Sequence, residues 1–180
     1  ANMPAANIQR AVDRGSGKLG GEQIQEVMYE GYGPGGAAIL VECATDNTNR
    51  TYPEIRLAFT KHGGSIAEKG SVAFQFNQKG MIIIKSASED LLLDALDAGA
   101  DDVEDDAGET TIYTDPKSLA AVRDKLKEKY EIAEAELTYI PKDIINVSDD
   151  STIGKLTRLL DRIEENDDVV KTHVNFDVEA

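Results

Sequence analysis

The chain carries, at residues 80–99, the stretch GMIIIKSASEDLLLDALDAG, which decides how the polypeptide is organised. The run Met81–Lys85 is apolar and short, which predicts a strand. Residues 88–98 are predicted to form a helix. Gly99 ends that helix, because glycine readily adopts the left-handed conformation that closes many helices.

The residues after this helix complete a regular pattern. Two short strands are predicted around Asp102–Glu104 and Thr110–Thr114. Asp115 then caps a second helix that has proline at its first position. A last strand follows, in which apolar and polar residues alternate. The order β-α-β-β-α-β predicts a ferredoxin-like domain over residues 80–140.

The segments on either side of this domain are each too small to fold alone. Residues 25–78 supply one helix and about three strands, and residues 143–177 supply one helix and about two strands. We therefore predict one discontinuous α/β domain made of 21–79 plus 141–180, into which the ferredoxin-like domain is inserted. The predicted class is α+β, with two α/β sandwich domains built on antiparallel-type sheets. Residues 1–20 are expected to be the last helix of a missing N-terminal helical domain.

Local signals refine the discontinuous domain. Thr51–Glu54 is typical of a capping box that opens a helix, with Tyr52, Ile55 and Phe59 on its buried face. Residues 72–77 alternate apolar and polar side chains and predict a half-buried strand. The final strand is predicted over 170–177, which places His173 on its polar, exposed face.

Charge is divided unevenly along the 180 residues. The net charge is −15, yet residues 1–80 contain eight acids and eight bases, so residues 81–180 carry all of the excess. A polyanion would be repelled by the second part of the chain. Hydrophobic residues make up 41% of the sequence, which excludes wholesale disorder. No apolar run approaches the roughly 18 residues that a membrane-spanning helix needs.

The sequence contains few of the residue types that most often serve in catalysis or metal binding. The chain has one cysteine, Cys43, and two histidines far apart in sequence, His62 and His173. Gly31, Gly33 and Gly36 match the spacing of a dinucleotide-binding loop, but a strand follows where that site needs a helix. We predict no cofactor, no metal and no catalytic residue, and an enzyme is the function for which the sequence offers least support.

The one cluster that favours binding lies in the electrically neutral part of the chain. Five cationic or titratable residues flank one predicted helix and the glycine-rich stretch after it: Arg50, Arg56, Lys61, His62 and Lys69. A hairpin rich in glycine is predicted beside them, and exposed glycine lets a ligand backbone approach closely. The predicted nucleic-acid-binding residues are these five together with Gly33, Gly35 and Gly36. The alternative is that the five are ordinary surface charges, with Arg50 bracing the loop before the helix.

Several strings of residues resemble the YebC family. They are YEGYGPGG at 29–36, ECATDNTNRT at 42–51, KHGG at 61–64, NMP at 2–4, GSVAF at 70–74 and, more loosely, Asp-Asp-Val at 167–169. The resemblance implies a basic helical N-terminal domain followed by two α/β domains, one split by the other. It also implies a role in gene expression, since members are mostly described as transcriptional regulators that bind DNA. Mitochondrial relatives are translational activators of cytochrome c oxidase subunit I.

Two functions therefore remain open. The first is a non-enzymatic, nucleic-acid-binding regulator of transcription. The second is a ribosome-associated translation factor that relieves stalling, contacting RNA through the first 80 residues and basic ribosomal proteins through the acidic part. The expected partners are DNA or ribosomal RNA and no membrane, and the chain is expected to be a cytoplasmic monomer. In a eukaryote the mitochondrial matrix is the alternative location.

The charge distribution predicts that this 180-residue chain binds duplex DNA weakly or not at all near physiological salt. Non-specific affinity arises mainly from cations placed against phosphates, and here the cations are few and the net charge opposes them. Filter binding or fluorescence anisotropy at about 0.15 M salt measures the affinity. Adding the basic helices expected upstream should raise it. Tight, sequence-specific binding by this chain would contradict the prediction.

Overall fold

A computed structural model describes residues 23–178 of the chain. These residues divide into two compact units, which we call unit 1 (residues 23–76 and 141–178) and unit 2 (residues 77–140). The helix predicted within residues 1–20 lies outside the described part of the chain.

The described residues form ten strands and four α-helices, numbered here in chain order. Up to residue 84 they are β1 (Gln25–Tyr32), β2 (Ala38–Thr45), α1 (Thr48–Lys61), β3 (Ser65–Ala67) and β4 (Phe76–Ile84). Next come α2 (Glu89–Ala98), β5 (Asp102–Asp106), β6 (Glu109–Thr114), α3 (Leu119–Leu126) and β7 (Glu134–Pro141). The last are β8 (Ile145–Val147), α4 (Asp150–Glu164), β9 (Val169–Val174) and β10 (Phe176–Val178). None of these helices combines the length and the apolar composition needed to cross a membrane.

Unit 1 is built on a four-stranded sheet in the order β3-β1-β2-β9. All three pairings in it are antiparallel. Alternate residues of β2 point to one face, where α1 and α4 cover them. The core there contains Ile39, Val41 and Cys43 from β2, packed with Phe59 of α1 and Leu159 of α4. Because β9 lies beside β2, the returning chain completes the sheet that the first segment begins.

Unit 2 has the ferredoxin-like order of elements, β4-α2-β5-β6-α3-β7, and its sheet runs β5-β6-β4-β7. Its core joins one face of that sheet to both helices. Ile82, Ile84 and Ile112 of the strands meet Leu91 of α2 and Val122 of α3. The predicted α+β class, with antiparallel-type sheets and one ferredoxin-like domain, is confirmed. A two-stranded sheet in unit 1, between β8 and β10, is parallel.

The strand predicted over 72–77 is wrong. Residues Ala73–Gln75 form a short 3-10 helix instead, and β4 begins only at Phe76. The buried carboxylate of Glu30 accepts hydrogen bonds from the backbone N–H groups of Val72 and Ala73, at 3.0 and 2.7 Å. Those donors are therefore unavailable to a neighbouring strand, and the side chain of Phe74 is 63% exposed.

The predicted capping box is also wrong. Helix α1 begins at Thr48, three residues earlier, and the Asn47 side chain caps it by accepting a hydrogen bond from the backbone N–H of Arg50. The Thr51 hydroxyl points inward, where it donates to the carboxylate of Asp168 at 2.8 Å. Tyr52, expected on the buried face, is 42% exposed.

The single strand predicted over 170–177 is two strands, β9 and β10, separated at Asn175. The buried Asn175 side chain accepts a hydrogen bond from the backbone N–H of Ala38 at 2.7 Å. His173 is buried, so its predicted place on an exposed face is wrong. Its Nε2 lies 2.6 Å from Oε2 of Glu42. This hydrogen-bond partner compensates for the hydration that the imidazole loses on burial.

Gly31 allows the ring of Phe59 to lie directly against β1. A Cβ atom at this position would lie 2.6 Å from Cε1 of Phe59 and 2.8 Å from the carbonyl oxygen of Ser65. Neither a buried ring nor a backbone carbonyl moves easily in a packed core. We therefore expect Gly31→Ala to lower the free energy of unfolding by about 1–3 kcal/mol, measured by urea denaturation.

Gly154, within α4, is the matched control. A Cβ atom there would meet only the end of the Arg158 side chain, at 3.4 Å. Gly154→Ala should therefore raise the free energy of unfolding by about 0.5–1 kcal/mol, since alanine restricts the unfolded chain more than glycine does. Equal effects of the two substitutions would contradict the close packing at Gly31.

Candidate nucleic-acid interface

The candidate interface adjoins a buried carboxylate, Asp168, at the start of β9. Arg50 in the first turn of α1 donates from Nη2 to both oxygens of Asp168, at 3.1 and 3.0 Å. The same nitrogen donates to Asp46 at 3.0 Å. These bonds raise the pKa of the Arg50 guanidinium, and the hydrogen bond that it donates to Asp168 is the largest cause. Arg50 therefore stays charged, and its guanidinium remains bonded to the carboxylates of Asp46 and Asp168.

Backbone hydrogen bonds fix Asp168 in this position. The N–H of Ala44, near the end of β2, donates to the carbonyl oxygen of Asp168 at 2.9 Å. The N–H of Asp168 donates to the side chain of Asn166 at 2.9 Å. The Asp168 side chain is thereby aimed at the first turn of α1, where Arg50 and Thr51 meet it. Arg50 thus braces unit 1, as the alternative interpretation of the sequence held for this residue.

The glycine-rich turn between β1 and β2 contains two different kinds of glycine. Gly33 is buried, and a Cβ atom there would lie 2.9 Å from the side chain of Leu156 in α4. Gly35 and Gly36 are exposed and have φ of 75° and 79°, a conformation that favours glycine. Gly33 is therefore required for packing, and Gly35 and Gly36 present backbone to solvent.

The end of α1 lies against this turn. Lys61 is the last residue of the helix and is exposed, and His62 follows it half-buried. A Cβ atom on Gly63 would lie 3.5 Å from Cγ of Pro34, and one on Gly64 would meet the carbonyl oxygen of Tyr32. The structure therefore brings the Lys61–His62 end of α1 next to the exposed turn.

Arg56 lies within α1, and Lys69 lies in the loop after β3. Arg56 is exposed one turn after Tyr52, whose ring centroid is 5.8 Å from that of Tyr29 in β1. Five residues separate Arg56 from Lys61, which corresponds to about 140° around the helix. Lys69 is exposed two residues after β3, the edge strand beside β1. The cations are thus spread around the exposed side of α1.

Sequence reasoning missed a groove next to Arg50. It has a volume of about 470 Å³ and lies between α1 and the segment that follows α4. Its lining includes Arg50, Glu54, Leu57, Arg162, Asn166 and Asp167. The lining contains both cations and carboxylates, and Glu54 accepts a hydrogen bond from Asn166 at 2.7 Å. The Asp-Asp-Val string at 167–169, quoted above only for its resemblance, supplies two of the lining residues.

The thiol of Cys43 in unit 1 is buried. Burial raises the pKa of the Cys43 thiol to about 12, with the Asp168 and Glu42 carboxylates adding to the effect. The thiol is therefore protonated at neutral pH and a poor nucleophile. Among residues 23–178, no group of three or more His, Cys, Asp or Glu residues is placed to hold a metal ion.

Comparison with known proteins gives consistent matches. Residues 24–176 match the family model described as TACO1/YebC second and third domain. Proteins named "Probable transcriptional regulatory protein" from Dictyoglomus turgidum and Persephonella marina are each 49% identical to the chain over 99% of its length and 73% of theirs. A relative with that name from Lactiplantibacillus plantarum is also 49% identical, over 96% of the chain.

A solved structure is similar as well. The crystal structure of a conserved hypothetical protein from Aquifex aeolicus superposes with a TM-score of 0.85 at 41% sequence identity. The match covers 98% of this chain and 74% of that one. The fold described above is therefore one that an experimental structure shares.

The bracing role of Arg50 predicts that Arg50→Gln destabilises unit 1 while Arg56→Gln does not. Removing the guanidinium takes an ion-pair partner from the buried Asp168 carboxylate. Because the Arg50 side chain is 41% exposed, water screens the pair, and we expect a loss of about 1–3 kcal/mol rather than the larger cost of a fully buried one. Arg56→Gln should stay within about 0.5 kcal/mol. Chemical denaturation measures both, and equal stabilities would contradict the prediction.

Proposed function

The chain belongs to the TACO1/YebC family, and from that premise we propose that it is a non-enzymatic regulator of gene expression that binds nucleic acid. The relatives named above are called transcriptional regulators, and none of those names describes an enzyme. The proposal assigns the contact with nucleic acid to unit 1 and places its action in the cytoplasm. It is supported by the distribution of exposed charge.

One observation carries the proposal. Arg56, Lys61 and Lys69 are exposed, and no residue within 23–178 forms an ion pair with any of them. We call these three the free cations. Cations without protein partners are available to phosphate oxygens, which account for most protein–nucleic acid hydrogen bonds. Arg50 differs, since Asp46 and Asp168 already engage its side chain.

Three acidic groups in the same part of the chain have hydrogen-bond partners, while Glu68, next to Lys69, is exposed. Glu30 is buried and accepts hydrogen bonds from the backbone of the 70–73 segment. Glu42 faces His173, and Glu54 faces Asn166. Each of these three carboxylates is therefore held by a partner other than the free cations, which leaves the free cations available to a polyanion.

The exposed turn adds a second supporting feature. Gly35 and Gly36 carry no side chain and lie beside the Lys61–His62 end of α1. A nucleic-acid backbone could approach the main chain there without steric hindrance. His62 would contribute a hydrogen-bond donor in its neutral form and a positive charge when protonated. In the proposal, the turn and the end of α1 form one part of the interface, and Arg56 and Lys69 form another.

A second candidate function is that of a ribosome-associated translation factor. The acidic second part of the chain favours it, because a surface rich in carboxylates suits basic proteins and repels free DNA. A ribosome offers both chemistries: RNA phosphates for the free cations and basic proteins for unit 2. DNA alone would leave the excess of carboxylates, which both units carry, without a partner. Both candidates require the same cationic surface on unit 1.

Reversing the free cations tests the proposal. We expect Arg56→Glu, Lys61→Glu and Lys69→Glu together to weaken binding to single-stranded RNA, duplex DNA at low salt and purified ribosomes. If all three side chains contact phosphates, the slope of log affinity against log salt for RNA should flatten by about 2, or about 0.7 per lost contact. Urea denaturation should show a stability close to that of the parent, since exposed substitutions usually cost little.

The matched control is the triple variant Lys85→Glu, Lys117→Glu and Lys125→Glu. These exposed lysines belong to unit 2, and the net charge changes by the same amount in both variants. Binding to RNA or ribosomes should fall much less in the control. Equal losses in the two variants would mean that total charge governs binding, and unchanged binding by the first variant would exclude the free cations as the site.

A further inference from the structure

Helix α2 of unit 2 presents three leucines to solvent. Leu92, Leu93 and Leu96 are 37%, 58% and 48% exposed. We call them the leucine face. Large apolar side chains that are exposed singly are common on proteins, but three together on one side of a helix are typical of a surface that another molecule covers.

The packing of α2 explains why these leucines point outward. Leu91 and Ala95 are fully buried in the core of unit 2, and they lie four residues apart on one side of the helix. At about 100° per residue, Leu92, Leu96 and Leu93 lie about 80°, 120° and 180° around the helix from the middle of that side. Ser88 caps the helix by accepting a hydrogen bond from the N–H of Leu91. The first turn is thus fixed, and the leucine face has a defined orientation.

Carboxylates are dense in the sequence around the leucine face. Residues 86–114, which cover α2, β5 and β6, contain ten acidic residues and no lysine or arginine. On α2 itself Glu89, Asp90 and Asp97 are exposed, while Asp94 accepts a hydrogen bond from Tyr130 at 2.7 Å. An apolar strip bordered by negative charge matches a segment whose apolar strip is bordered by positive charge.

We propose that the leucine face of α2 is a docking surface for a basic amphipathic segment of a partner protein. The leucines supply apolar burial, and the surrounding carboxylates attract and orient lysines and arginines of the partner. A second copy of this chain would bring like charges together, and nucleic acid would be repelled. This surface is separate from the free cations of unit 1, so the inference does not depend on the proposed function.

Two synthetic peptides test the proposal with the 180-residue chain. One is an amphipathic helix of lysines and leucines, and its twin has every leucine replaced by glutamine, so the charges are equal. We expect the leucine peptide to bind about tenfold more tightly or better, since burying apolar side chains adds to a common electrostatic attraction. Amide chemical shifts should change in α2 and the adjoining β5.

Two protein variants locate the effect. Leu92→Gln, Leu93→Gln and Leu96→Gln together should abolish the preference for the leucine peptide, and glutamine keeps the helix. Leu137→Gln with Ile144→Gln is the control, because these residues are 45% and 60% exposed outside α2. It should retain the preference, and circular dichroism checks the fold of both variants.

Three results would overturn the proposal. The first is equal binding of the two peptides by the parent chain, which would leave only non-specific charge attraction. The second is a full preference in the α2 variant, which would place the apolar contact elsewhere. The third is self-association in sedimentation that the α2 variant loses, which would make a second copy of the chain the occupant.

Discussion

The buried carboxylate of Asp168 holds unit 1 together. It receives the Arg50 guanidinium and the Thr51 hydroxyl from α1, and its own backbone carbonyl receives the N–H of Ala44 from β2. Residues 44–51 and residue 168 are separated by the whole of unit 2 in sequence, so this cluster joins the two segments of a discontinuous fold. A buried carboxylate is costly unless it is paired and hydrogen-bonded, and the Arg50 guanidinium and the Thr51 hydroxyl meet that requirement.

The bonds to Asp168 also distinguish the cations of unit 1 by role. Arg50 is used for folding, whereas Arg56, Lys61 and Lys69 remain on the surface without ion-pair partners in the described part of the chain. The strings at 42–51 and 167–169, which resemble the family, are in contact through Asp168. Part of that resemblance therefore reflects the contacts that join the two segments of unit 1. Both units are net negative, and unit 2 adds the leucine face, which suits it to a basic protein partner. Two units of different surface chemistry are what a factor that joins nucleic acid to protein requires.

Patterns local in sequence were predicted well, and contacts distant in sequence were not. The alternation and capping signals of residues 80–140 identified the ferredoxin-like domain, because each element there follows from its own residues. The strand prediction for 72–77 was wrong because backbone N–H groups there donate to the carboxylate of Glu30, about forty residues earlier in the sequence. The predicted helix start at Thr51 was wrong because the Thr51 hydroxyl donates to the carboxylate of Asp168 and does not cap the helix. The exposed cations were identifiable from composition, but only the structure separates Arg50 from Arg56. The leucine face was missed because its outward side cannot be told from a core stripe by spacing alone.

Ultraviolet crosslinking in cells, followed by mass spectrometry of the modified peptides and sequencing of the attached nucleic acid, tests the central claim most directly. We expect adducts on the surface formed by Gly35, Gly36 and residues 56–69. The attached sequences will show whether the nucleic acid is genomic DNA or ribosomal RNA. Adducts confined to residues 81–178, or to residues 1–22, would contradict the assignment of the interface to the free cations of unit 1.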